Sequence, residues 1–133
     1  WYVQYASARV NSVLKKAAEM GVDTSDAALA GADLARLDHP AELELARKVA
    51  EWPRIVEIAA RAHEPHRIAF FLYDTASDLH SLWNRGNDET SLRFVQDGDP
   101  ATTAAKIALA RSVGVVISAG LGILGVTPAK EMR

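Results

Sequence analysis

Four of the five prolines in this 133-residue chain stand where a helix would begin, and that punctuation constrains the fold more than any other feature. Proline has no N–H and a fixed φ, so it suits the first turn of a helix and breaks the interior of one. His39-Pro40 opens a helix that is expected to close at Trp52, because Pro53 disfavours helical geometry in the residue before it. Pro53 opens a shorter helix to about Ala62, and Pro65 opens another that reaches Trp83 or Asn84 and ends before Gly86. Asp99-Pro100 is the strongest start, an N-cap carboxylate followed by proline, for a helix running to about Ala119, where glycines break it. The first helix needs no proline: it runs from about Tyr2 to Met20 and stops at Gly21.

Strand signals are scarce. The small-residue stretch from Val22 to Leu37 reads as a loop with at most one short turn, and Gly86 to Asp99 is polar and turn-rich. The expected fold is all-α, an antiparallel-type bundle of about five helices, with residues 1–133 forming one domain. Apolar residues make up 49% and charged residues 24%, enough for a hydrophobic core and far from the composition of a disordered chain.

The chain has no cysteine, which excludes disulfides and thiolate metal sites and fits a cytoplasmic protein. The weakly charged stretch from Ser112 to Ala129 carries clustered glycines and short side chains, so no membrane span is expected. Trp1 is not an initiator and no signal peptide opens the chain, so the start reads as a cut inside a longer protein, while Met132-Arg133 reads as a natural end. A net charge of −2 weighs against binding nucleic acid through bulk electrostatics. It leaves open a reader of a few unstacked bases, where stacking and hydrogen bonds do much of the work.

On a helical wheel of about 100° per residue, Val3, Ala6, Val10, Val13, Leu14 and Ala17 share the core arc of the first helix. Tyr2, Tyr5, Arg9, Ser12 and Lys16 form a stripe along one edge, vertical neighbours at spacings of three and four. Two aromatic rings and two cations in one column suit flat, negatively charged partners. From the pattern alone, tyrosines at a core edge with their hydroxyls in water are the commoner outcome. Lys15 falls on the opposite, solvated side. In the Pro65 helix, Ile68, Phe71, Leu72, Thr75, Leu79 and Leu82 form the core arc, while Tyr73, Ala76, His80 and Trp83 run along an edge. Asp74 and Asp78 share another side as a pair of solvated carboxylates. Trp83 at its helix end reads equally as a stacking platform and as a lid on the core.

Two apparent motifs carry nothing. Gly120-Leu121-Gly122-Ile123-Leu124-Gly125 spells G-x-G-x-x-G, but a helix precedes it where a strand is needed, and the chain from 125 to 133 is too short for the acidic residue about twenty positions on. The segment reads as a flexible turn. His63 and His66 flank Pro65 with no third ligand in view, so no metal is expected and both face solvent. No arrangement of serine, histidine and carboxylate stands out, so no catalytic residue is assigned.

The run Tyr2-Val3-Gln4-Tyr5-Ala6-Ser7-Ala8-Arg9 resembles the start of the C-terminal anticodon-binding (DALR-type) helical domain of class I arginyl-tRNA synthetases, whose usual form is Y-V/L-Q-Y-A-H-A/S-R. Ser7 replaces the common histidine, and Trp1 a frequent phenylalanine. A second block is Arg67 to Asp74, continued by Ala76 to Asn84. A third is Ala108 to Arg111, followed by Gly120-Leu121-Gly122, Leu124 to Pro128 and Glu131-Met132. The blocks keep the family's order and spacing along the whole chain.

This resemblance implies a module that grips the anticodon stem and loop of arginine tRNA. In the family, a separate nucleotide-binding-fold domain activates arginine with ATP and magnesium. The chain has neither the HIGH-type nor the KMSKS-type element of that domain, so the resemblance implies a ligase parent and a fragment inactive by itself, with no cofactor of its own. Position by position, it implies that Tyr2, Tyr5 and Arg9 line the anticodon site, that Trp83 stands beside it, and that Met132 reaches the loop. Leu79 stands where the family often has an aromatic ring. The partners implied are arginine tRNA and the parent's catalytic domain, with no membrane and a monomeric state. A helical protein-interaction adaptor, or the anticodon domain of another class I synthetase, are the alternatives.

Overall fold

The computed structural model describes residues 1–132, so Arg133, half of the expected natural end, lies outside the described residues. Among the described residues there are six α-helices: α1 (Tyr2–Glu19), α2 (Asp26–Ala30), α3 (Pro40–Ala50), α4 (Trp52–Ala62), α5 (His66–Asp88) and α6 (Pro100–Ile123). Short 3-10 turns occupy Leu34–Arg36 and Thr90–Leu92, and there is no strand among the described residues. The five long helices are those expected, and the bundle is all-α.

The caps follow the side chains that make them. Asp99 accepts a hydrogen bond from the Thr102 amide at 3.1 Å, opening α6 behind Pro100. His39 caps α3 through Nδ1, which accepts from the Ala41 amide at 3.0 Å. Ser25 caps α2 by accepting from the Ala28 amide, and Asp33 caps the following 3-10 turn, so the stretch expected as a loop carries two ordered turns. Both turns sink a leucine, Leu29 and Leu37, into the core. α3 ends at Ala50, two residues before the expected Trp52, and Trp52 begins α4. The missing N–H of Pro53 is harmless in that first turn.

Glycine marked the end of α1, where Gly21 follows the C-cap at φ +89°, but misled at the ends of α5 and α6. α5 runs through Gly86 to Asp88, and α6 through Gly114, Gly120 and Gly122 to Ile123. A Cβ on Gly86 would lie 3.2 Å from the Arg93 side chain, and one on Gly120 would lie 2.6 Å from Leu72 Cδ2. These positions lack a side chain because a neighbour occupies its space. Of the glycines in the apparent dinucleotide motif, only Gly125, at φ +77°, lies in the turn after the helix.

α6 is the central element, buried along most of its length against α1, α5 and α3. It is long and apolar enough by composition to cross a membrane, and here it is a core helix. All six residues expected on the core arc of α5 are buried, and α1 buries Ala6, Val10, Val13 and Ala17 with Val3 and Leu14 half-buried behind them. Lys106 of α6 donates to Glu42 of α3 and to the Ser91 carbonyl, both at 2.8 Å, with each charged side chain only 4% exposed. This pair ties α6, α3 and the segment after α5 together, and removing one partner would leave the other charge buried alone.

A candidate nucleic-acid interface

Three segments meet in a groove of about 610 Å³. α1 contributes Tyr5, Arg9, Ser12 and Lys15, α5 contributes Trp83, and the segment after α6 contributes Lys130, Glu131 and Met132. That last segment has no helix to hold it. It is held by Gln4, whose side-chain amide donates to the Thr127 carbonyl at 2.8 Å and accepts from the Ala129 amide at 2.6 Å. Ser7 adds a hydrogen bond to the Ala129 carbonyl at 2.8 Å. Two side chains of the first turns of α1 thus fix the wall that carries Met132.

The groove floor is a stack. The guanidinium carbon of Arg9 lies 4.9 Å from the Tyr5 ring centroid and 4.8 Å from that of Trp83. A cation between two aromatic rings is attracted by both faces and held flat. Phe94 stacks on Trp83 at 6.2 Å, and Trp1 on Tyr5 at 5.9 Å. Arg9 also donates to the Tyr5 hydroxyl at 3.3 Å and to His80 Nδ1 at 3.0 Å. A guanidinium has about five N–H donors, and these two contacts leave about three for a ligand.

His80, placed by the wheel along an edge of the core arc of α5, is only 6% exposed. Ala76, on the same expected edge, is fully buried. The start of α1 lies across that edge, with Tyr2 against His80 at 4.7 Å and against Tyr73 at 4.9 Å. Because Arg9 can only donate, Nδ1 must accept, which leaves the proton on Nε2 facing the Tyr2 carbonyl at 3.4 Å. Burial pushes the His80 pKa below its ordinary value. The Tyr2 carbonyl opposes that shift and the Arg9 charge adds to it, so the imidazole is neutral.

Of the residues the sequence singled out, the structure brings Tyr5, Arg9, Trp83 and Met132 to one groove. Tyr2 stands behind it, half-buried, supporting His80 rather than lining the space. Leu79 is 1% exposed and belongs to the core, with no face to offer a base. Lys15, expected on the opposite solvated side of α1, lines the groove, because the wall built by residues 130–132 extends the site past the arc that the wheel defines. Asp74 is exposed as expected, but Asp78 pairs with Lys48 at 2.9 Å and is not a free carboxylate. His63 and His66 both face solvent, and among the described residues no cluster of three or more potential metal ligands occurs. Sequence reasoning passed over Gln4, Ser7 and Lys130. The only signal for Gln4 was its place in the first motif.

The family profile for the DALR anticodon binding domain matches residues 3–132. The chain belongs to that family. It is 89% identical over its whole length to an arginine–tRNA ligase of Paracoccus denitrificans (strain Pd 1222), of which it covers 23%. It is 72% identical to one of Cereibacter sphaeroides (strain ATCC 17025 / ATH 2.4.3) and 62% identical to one of Roseobacter denitrificans (strain ATCC 33942 / OCh 114), again over the whole chain and 23% of each relative. The chain therefore spans about a quarter of the length of these relatives. A putative arginyl-tRNA synthetase of Campylobacter jejuni shares the fold, with a TM-score of 0.81 over 99% of this chain and 26% of that one, at 20% identity.

Proposed function

We propose that residues 1–133 act as one binding module, the anticodon-binding domain of an arginyl-tRNA synthetase, and that the groove receives the anticodon loop of arginine tRNA. The observation that carries the reading is the Tyr5–Arg9–Trp83 stack inside a chain of the DALR family. A planar cation between rings, with donors free, matches bases that stack and phosphates or base edges that accept. Tyr5, Arg9, Trp83 and Met132 are the residues assigned to contact, with Tyr2 behind them. Attachment of arginine, with ATP and magnesium, belongs to a catalytic region outside this chain, in a cytoplasmic protein whose module works as a monomer.

Three cations, Arg9, Lys15 and Lys130, meet one carboxylate, Glu131, at the groove of a chain with a net charge of −2, so local rather than overall charge draws the RNA. Titrating the chain with transcribed arginine tRNA, and following tryptophan fluorescence, tests the reading. Binding that Tyr5→Ala weakens by roughly ten- to a hundredfold supports it, since one stacked base is worth about 1–3 kcal/mol. Binding unchanged in stably folded Tyr5→Ala and Trp83→Ala proteins overturns it. No response to tRNA at all would favour a helical protein-interaction adaptor.

A further inference from the structure

Trp83 does not close the groove; it divides it from a second, smaller cavity of about 200 Å³. Ser12 and Trp83 line both spaces, while Lys16, Asn87, Arg93 and Phe94 belong to the second alone. The edge stripe of α1 connects them: Arg9 serves the groove, Ser12 sits at the divide, and Lys16 serves the far side, about 10 Å further along the helix axis. Neither Lys16 nor Arg93 takes part in any ion pair among the described residues. Arg93 is oriented through Nε, which donates to the Gly86 carbonyl at 2.9 Å and leaves its terminal nitrogens free. Gly86 lets this happen, since a Cβ there would meet Arg93. The cavity thus offers a ring system, an amide and two unpaired cations around a space of the size of one base.

Building on the anticodon-binding reading, we propose that this second cavity is a separate nucleotide subsite. It takes the base next to the one in the groove, with the RNA backbone passing over Ser12 and its phosphate held by Lys16 and Arg93. Trp83 is the partition that keeps the two bases apart, and Asn87 supplies the amide that meets the edge of the second base.

The test is an abasic scan of an anticodon stem-loop RNA, one loop position at a time, against wild-type chain and the variants Tyr5→Ala, Asn87→Ala and Lys16→Ala. Two adjacent positions should each lose about tenfold in affinity when the base is removed. The loss at one should vanish in Tyr5→Ala, and the loss at its neighbour in Asn87→Ala. Lys16→Ala should weaken binding about fivefold near 0.1 M salt and lower the salt slope by about 0.7, with both recovered in Lys16→Arg. Lys16 and Asn87 are exposed, so these variants should melt like wild type. If a single position responds and both variants bind like wild type, the second subsite is overturned and the anticodon-binding reading stands. If no position responds and the wild-type chain does not bind the RNA, both fall.

Discussion

The Arg9 guanidinium donates to Nδ1 of His80 at 3.0 Å, so the cation that faces the groove rests on a buried neutral imidazole. His80 is therefore not a surface reader but a support for Arg9, whose guanidinium carbon lies within 4.9 Å of both the Tyr5 and Trp83 ring centroids. Protonating it would place a second positive charge against Arg9 and remove the acceptor at Nδ1.

This arrangement fixes a pH dependence of stability. In the unfolded chain His80 takes up a proton near its ordinary pKa of 6.5, while in the folded chain burial and Arg9 hold it lower. Between those values the unfolded state binds more protons, so stability is full above about pH 6.5 and falls as the pH drops through that window. Asp23, Asp26 and Asp99 are also held below the ordinary 3.8, each chiefly by hydrogen bonds, and their contribution is lost only at still lower pH. Urea melts across the acidic range should show the upper step in wild type and lose it in His80→Gln. An upper step of the same size in both proteins would assign it to another group.

Charge alone does not account for Arg9. A lysine there keeps the positive charge but has no plane to lie between two rings and no fork to reach His80 and the Tyr5 hydroxyl together. Arg9→Lys should therefore weaken arginine-tRNA binding by about tenfold while leaving the salt slope nearly unchanged, because phosphate neutralisation survives. Arg9→Ala should lower both. Arg54, an exposed arginine on α4 outside the groove, is the control, and Arg54→Ala should bind like wild type. Full affinity in Arg9→Lys would show that only its charge matters.

Gln4 makes a different kind of contribution, since it acts through the segment it holds. Gln4→Ala removes the hydrogen bonds to Thr127 and Ala129 but touches nothing in the core. Each such bond is worth about 0.5–1.5 kcal/mol net, and the loss falls locally on residues 127–132 rather than on the whole bundle. The melting temperature should change little, amide exchange at Ala129 should quicken, and tRNA affinity should drop to that of Met132→Ala. The double variant should then be no weaker than either single, the non-additivity expected of residues acting as one unit. Fully additive losses would separate the two roles.

Helix starts were legible because proline and capping side chains state their geometry locally: Pro40, Pro65 and Pro100 each open the expected helix. The core arc of α5 was legible for a similar reason, as periodicity alone selects one face. What escaped depends on partners far along the chain. Gln4 and Ala129 are 125 residues apart, so nothing near Gln4 shows that its amide grips a returning segment of backbone. Lys15 was misplaced because a wheel shows one helix and its core, and the wall that brings Lys15 into the site is built by another segment. The burial of His80 was not legible from its edge position because the residues covering it come from α1. Glycine misled for a plainer reason: a residue that lacks Cβ to turn the chain and one that lacks it to let a neighbour in carry the same letter.

That distinction makes a paired experiment on α6. Gly120 and Gly122 are two residues apart on one helix, and alanine is the better helix former by about 1 kcal/mol at an interior position. Only one has room for the methyl group. At Gly120 a Cβ would meet Leu72 Cδ2 at 2.6 Å, Cδ1 at 2.7 Å and Cγ at 2.9 Å, and Leu72 is only 1% exposed, so it cannot swing away. At Gly122 nothing lies within 4 Å. Gly120→Ala should thus destabilise the chain by about 1–3 kcal/mol through overpacking, despite its better propensity. Gly122→Ala should stabilise it by up to about 1 kcal/mol, chiefly by restricting the unfolded chain. Shortening the obstacle in Gly120→Ala/Leu72→Val should recover part of the first loss, so that the double variant is more stable than the sum of the singles requires. Denaturant melts of wild type, the two glycine variants, Leu72→Val and the double variant decide the matter, and equal effects at the two glycines would mean that α6 ends before Gly120, as the sequence first suggested.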